Sequence, residues 1–120
     1  DTVVAVGRRV LPKAADEAQV RACLALLSGR NHKVLTAIAV AHAGKTSARL
    51  VETRVQFKRL TDAETDLYAA SGEGVGKAGG YGVQGLAGAF VIAIHGSYPA
   101  VVGLPLYETA NLLFGRGYRP

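Results

Sequence analysis

The chain has 120 residues, 49% hydrophobic and 19% charged, with 14 Lys and Arg against 9 Asp and Glu for a net charge of +5. That size carries one core and not comfortably two, and the composition argues against disorder. No apolar run reaches the 18 residues of a membrane-spanning helix, and no secretory leader pattern opens the chain. The single Cys23 cannot form an internal disulfide, which fits a reducing cytoplasm.

Residues 2 to 6, Thr-Val-Val-Ala-Val, read as a buried strand, followed by a turn at Gly7-Arg8-Arg9 and a short strand through Val10 and Leu11. Asp16 with Gln19 three residues on is a capping-box pattern. Val20, Cys23, Leu24 and Leu27 then recur at helical spacing, with Glu17 and Arg21 as an i,i+4 pair and Gly29 as the stop. Val34 to Val40 is apolar on both alternating faces and is expected to be a strand covered from both sides. After a turn at Gly44-Lys45, residues 51 to 58 alternate cleanly, with Val51, Thr53, Val55 and Phe57 on one face. The pair reads as a long antiparallel hairpin. Thr61 to Glu64 is a second capping box, starting a helix that ends at Gly72. Phe90 to Ile94 reads as another strand and Leu104 to Phe114 as a closing helix. The expected fold class is therefore α/β (α+β), a sheet with a long antiparallel hairpin and flanking helices.

Between Gly72 and Gly88 lie eight of the chain's 15 glycines, together with Lys77, Tyr81 and Gln84. Such density suits a backbone that takes positive φ or lies close to a partner, and bare amides suit an anion such as phosphate. Familiar phosphate motifs fail here. Gly44-Lys45-Thr46 imitates the end of a Walker A loop, but position 39 is Ala39 and the segment is a hairpin. GxGxxG occurs twice within the glycine run, at Gly74 and at Gly80, and neither follows a strand. His32, His42 and His95 are read as surface or strand-end residues, and Ser97 has no nucleophile elbow. The basic residues, including Arg8, Arg9, Lys58, Arg116 and Arg119, form no stripe with aromatics, so nucleic-acid binding draws little support.

Several phrases together resemble the Maf family of nucleoside triphosphate pyrophosphatases. They are Asp1-Thr2-Val3-Val4, then Lys13, then Leu27-Ser28-Gly29-Arg30-Asn31-His32-Lys33-Val34-Leu35-Thr36. Lys77-Ala78-Gly79-Gly80-Tyr81-Gly82-Val83-Gln84-Gly85 and Gly96-Ser97-Tyr98 with Val101 to Leu106 complete the set. The resemblance implies a mixed sheet of the Maf/inosine triphosphatase type and one Maf-like domain over residues 1–120. It also implies a cytoplasmic enzyme, often a homodimer, that cleaves nucleoside triphosphates between the α and β phosphates with Mg²⁺ or Mn²⁺. Asp1 matches the proposed proton acceptor and a metal position. Thr2 and Gln84 match positions tied to base specificity, and Lys13 and Lys77 match lysines facing phosphate. The Gln84 form resembles the subgroup acting on dTTP and UTP, with no nucleic-acid or membrane partner implied.

The family's Ser-x-Ser-Pro-Arg-Arg phrase is not among these residues, and the chain has no methionine. The expectation is a domain incomplete at its N-terminus, inactive or poorly folded as an isolated piece. Gly76 stands where many members carry an aspartate, which leaves Glu73 or Asp1 to supply that carboxylate. Two rivals remain: a pyrophosphatase for purine or modified nucleotides, and a degenerate nucleotide-binding module without catalysis.

Overall fold

The computed structural model describes residues 1–118, so Arg119 of the basic tail lies outside the described residues. Five strands form one sheet in the order β2-β1-β3-β4-β5, and every pairing among them is antiparallel. They are β1 (Thr2–Val6), β2 (Arg9–Leu11), β3 (Asn31–His42), β4 (Lys45–Phe57) and β5 (Val91–His95). The α/β (α+β) class and the long hairpin are as the sequence implies. Of the mixed sheet, the described residues supply antiparallel pairings alone.

The hairpin keeps register over twelve pairs, from Asn31 opposite Gln56 to His42 opposite Lys45. Its two-residue turn places Ala43 at φ 52° and Gly44 at φ 76°, the doubly left-handed turn whose twist matches the strands it joins. On β4, Thr53, Val55 and Phe57 are buried while Glu52 and Arg54 are exposed, as the alternation requires.

β3 departs from expectation. His32, Val34 and Thr36 are buried, but Lys33, Ala37, Ala39 and Ala41 on the other face are exposed. The strand is covered on one side. Its outward positions are mostly alanines, whose small side chains tolerate water nearly as well as a core, so an apolar count overstates their burial.

On the covered face lie α1 (Glu17–Leu27) and α2 (Asp62–Ser71). α1 buries Val20, Cys23, Leu24 and Leu27, and a fully buried leucine contributes roughly 1.5–3 kcal/mol. Asp16 accepts the Gln19 N–H at 2.8 Å, and the Gln19 side chain takes the amide of Ala15 rather than that of Asp16. Arg21 joins Glu17 at 3.2 Å and also binds Asp66, linking α1 to α2. α2 starts in a reciprocal capping box between Thr61 and Glu64, with Lys58 on the Glu64 carboxylate at 2.7 Å.

Two boundaries shift. Residues 86–90 form a 3₁₀ turn and the strand begins at Val91, because Phe90 turns inward onto Phe57 and Tyr68. At the end of the chain a short helix, α3 (Tyr98–Val102), precedes α4 (Leu106–Gly115). Ser97 caps α3 by accepting the Ala100 N–H, and Thr36 donates to the Ala100 carbonyl, seating α3 on β3. Leu104 stays outside α4 because a residue before proline is pushed out of helical backbone.

Candidate active site

A cleft of about 550 Å³ opens where the start of β1 meets the glycine-rich loop. Backbone pairing assembles it. Past β2, Pro12 to Ala14 run antiparallel to residues 76–79: the Ala14 N–H reaches the Lys77 carbonyl at 3.2 Å, and the Gly76 N–H reaches the Ala14 carbonyl at 2.7 Å. Lys13 and Ala78 face each other across this bridge. Two lysines distant in sequence are thereby brought to one wall.

The five residues singled out above, Asp1, Thr2, Lys13, Lys77 and Gln84, all line this cleft. The Asp1 carbonyl accepts the Ala37 N–H at 2.9 Å, fixing the residue to β3, and its carboxylate accepts the Thr2 N–H at 3.0 Å. Thr2 follows as the first residue of β1.

The glycines serve packing first. A Cβ on Gly74 would lie 2.2 Å from the Gly80 carbonyl oxygen, one on Gly79 2.8 Å from Val4, and one on Gly80 2.9 Å from Cys23. At these three positions the loop lies directly on β1, on α1 and on itself, with no room for a side chain. From there Tyr81 turns into the core, 6% exposed, and Val83 and Gln84 return to the cleft.

Two contributors were not legible as such. Glu73, considered above only as a stand-in carboxylate, lines the cleft and accepts the Leu86 N–H at 3.2 Å, which ties the end of the loop back to its start. His32 corrects the reading of a surface histidine. It does stand at a strand end, but it is 2% exposed, its Nε2 is 2.6 Å from the Tyr81 hydroxyl, and its ring packs edge-on against Phe57. A lone tyrosine in a glycine run was the available signal, since an aromatic there needs a buried seat.

Burial lowers the His32 pKa to about 4 from the usual 6.5, and burial raises the Tyr81 and Tyr68 hydroxyls above the ordinary tyrosine value. His32 Nδ1 is buried without a partner among the described residues, an arrangement that typically costs about 1–3 kcal/mol. The unfolded chain therefore binds more protons than the folded one between pH 6.5 and 4, and stability falls as pH drops through that window. The expected loss, relative to His32→Gln, is about 3 kcal/mol between pH 7 and pH 4. Urea unfolding of both proteins across that range checks it; parallel curves would show that His32 does not titrate this way.

As a donor set, the cleft offers two ammonium groups, a carboxamide, a hydroxyl, and the carboxylates of Asp1 and Glu73. No group of three potential metal ligands occurs among the described residues. Mg²⁺ commonly takes one or two carboxylates and completes its shell with water and phosphate oxygens, so the set suits a metal arriving with a polyphosphate rather than a resident one.

The antiparallel sheet thus carries a cleft lined by two lysines, a glutamine and two carboxylates, a set whose charges suit a phosphorylated small molecule. The Maf-like protein model matches residues 1–115, and the chain belongs to that family. It is 70% identical to the dTTP/UTP pyrophosphatase of Caulobacter vibrioides over 100% of its own length and 63% of that protein's. It is 64% identical to the protein of the same name from Maricaulis maris, covering 98% of itself and 57% of that relative. With the dTTP/UTP pyrophosphatase of Hyphomonas neptunium it shares 60% identity over 99% and 63% of the two chains. The chain thus spans about three fifths of the length of these relatives. No helix among the described residues is long and apolar enough to cross a membrane.

Proposed function

We propose that this chain forms the base-reading and phosphate-facing part of an enzyme that hydrolyses dTTP and UTP to the nucleoside monophosphate and pyrophosphate. The observation that carries this reading is the convergence of Asp1, Thr2, Lys13, Lys77 and Gln84 on one cleft. The names of the relatives supply the substrate class.

In this reading Asp1 accepts a proton from the attacking water, whose oxygen joins the α-phosphorus as the bond to the bridging oxygen of pyrophosphate breaks. Lys13 and Lys77 stabilise the charge growing on the leaving pyrophosphate, the main task in phosphoryl transfer. Gln84 offers one donor and one acceptor, matching O4 and N3–H of uracil or thymine. A divalent cation, Mg²⁺ or Mn²⁺, held by Asp1 and the substrate phosphates, supplies further positive charge when bound. The natural protein is taken to work in the cytoplasm as a homodimer. Leu104, just before α4, and Leu106 and Tyr107 in its first turn are exposed and offer apolar area for such contact; sedimentation checks it.

The test is pyrophosphate release from UTP and dTTP by the natural full-length protein, with tight UTP binding and no release favouring the non-catalytic rival. Gln84→Ala separates the purine rival. Losing two hydrogen bonds worth roughly 1 kcal/mol each should raise KM for UTP about ten- to thirtyfold. KM for GTP should stay within about twofold. Equal losses on both nucleotides would remove Gln84 as a base reader.

A further inference from the structure

We infer that His32 and Tyr68 are positioning residues that brace the nucleotide-facing loop from the core side, His32 through the Tyr81 hydroxyl and Tyr68 through the Gly82 amide. This rests on the proposed function for its catalytic consequence but not for its structural content. Consecutive loop residues are held from two different elements. The imidazole of β3 lies 2.6 Å from the Tyr81 oxygen, and the Tyr68 hydroxyl of α2 accepts the Gly82 N–H at 3.1 Å. The three rings His32, Phe57 and Tyr81 meet edge-on with centroids 4.8–5.4 Å apart, so the Tyr81 side chain has one seat.

The position of the brace gives it purpose. Lys77 lies four residues before Tyr81 and Gln84 three after, both on the cleft; Gly79 and Gly80 rest on Val4 and Cys23, but Gly82, which follows Tyr81, has no close packing partner beyond the Lys77 side chain. Residues 76–79 are held by their pairing with 12–14, whereas beyond them the stretch from Tyr81 to Gln84 would, without the brace, be free to adopt many backbone states. A histidine is also a poor choice for simple filling. It leaves Nδ1 buried and unpartnered, where an apolar side chain of similar volume would leave nothing unsatisfied. The only bond its side chain makes among the described residues is to Tyr81. With its proton on Nδ1, neutral imidazole would accept the phenol hydrogen at Nε2, and both residues are almost fully buried, at 2% and 6% exposed.

Lys77 is tied separately to Ala14, so loss of the brace misplaces chiefly Gln84 and weakens the grip on the base in the ground and transition states alike. Loss of the brace therefore raises KM more than it lowers kcat, whereas general destabilisation lowers the active fraction and leaves KM alone. The experiment uses the full-length protein with Tyr81→Phe, His32→Leu and His32→Gln. Glutamine can place an amide near the position of Nε2. Expected for Tyr81→Phe and His32→Leu are a KM for UTP about tenfold higher with kcat within about threefold, and hydrogen exchange of residues 77–85 about tenfold faster. His32→Gln should restore both, and the double variant should be no worse than the single ones. Should His32→Leu fail to fold, Tyr81→Phe carries the test. Unchanged exchange across 77–85 in folded Tyr81→Phe overturns the brace, whatever the activity. A wild-type protein releasing no pyrophosphate from any nucleoside triphosphate overturns the proposed function instead, and exchange alone then decides on the brace.

Discussion

Asp1→Asn in the full-length protein is expected to lower kcat for pyrophosphate release from UTP at least a hundredfold while leaving KM within a few fold. Asparagine has the same shape and keeps an oxygen for the Thr2 N–H now bound at 3.0 Å, so β1 should form as before. What it cannot do is accept a proton. A positioned general base contributes roughly 10²–10⁴-fold to rate, which sets the expected size of the loss. Steady-state kinetics with a pyrophosphate-coupled assay read it, alongside a urea midpoint to show that the variant is folded. Retention of wild-type kcat would remove Asp1 from the mechanism and move the search for a base to Glu73, the other carboxylate of the cleft.

Gly79→Ala is expected to destabilise the fold by roughly 2–5 kcal/mol, well beyond what Gly76→Ala costs in the same loop. Gly79 has φ +71°, and an added Cβ would sit 2.8 Å from Val4 Cγ1 and 3.0 Å from Val4 Cβ. The backbone conformation alone costs an L-residue roughly 1–2 kcal/mol, and forcing a methyl into a packed contact adds roughly 1–3 kcal/mol. Val4 is 2% exposed, so any shift of its side chain disturbs packed neighbours or narrows the cleft it lines. Gly76→Ala separates the two contributions, because Gly76 has φ +82° but nothing within 4 Å of the added atom. Chemical denaturation should therefore show Gly79→Ala below Gly76→Ala by the contact cost. Equal midpoints would mean that the loop does not rest on β1 as described. Because Val4 also lines the cleft, the folded fraction of Gly79→Ala should bind UTP more weakly.

Whatever rests on neighbours in the chain was legible in the sequence. Val20, Cys23, Leu24 and Leu27 announce the buried face of α1 because helical spacing is a local property, and Thr61 with Glu64 announces α2 in the same way. The alternation around Thr53 and Val55 shows which side of β4 is covered. On β3 the same reasoning misjudged Ala37, Ala39 and Ala41, since alanine does not declare a side. α3 went unseen because five residues with one capping serine and a proline carry too little pattern.

For the cleft, the resemblance supplied the residues and not their meeting. Nothing in the spacing of Lys13 and Lys77 shows that residues 12–14 pair with 76–79. The pairing of His32 with Tyr81 was hidden for the same reason. A histidine amid polar neighbours looks exposed until the tyrosine that covers it is known.

The bridge between Lys13 and Ala78 also bears on the order in which the molecule comes together. The β3–β4 turn and α1 close over short stretches, whereas this contact must wait for half the chain to return, and long closures are slow and entropically costly. A chain with only the hairpin and α1 in place would have two of the five strands and would still keep its two cleft lysines apart. A phosphate grip that uses both lysines is thus complete only once this bridge has closed, and under the proposed function a bound nucleotide would act as a clasp on it.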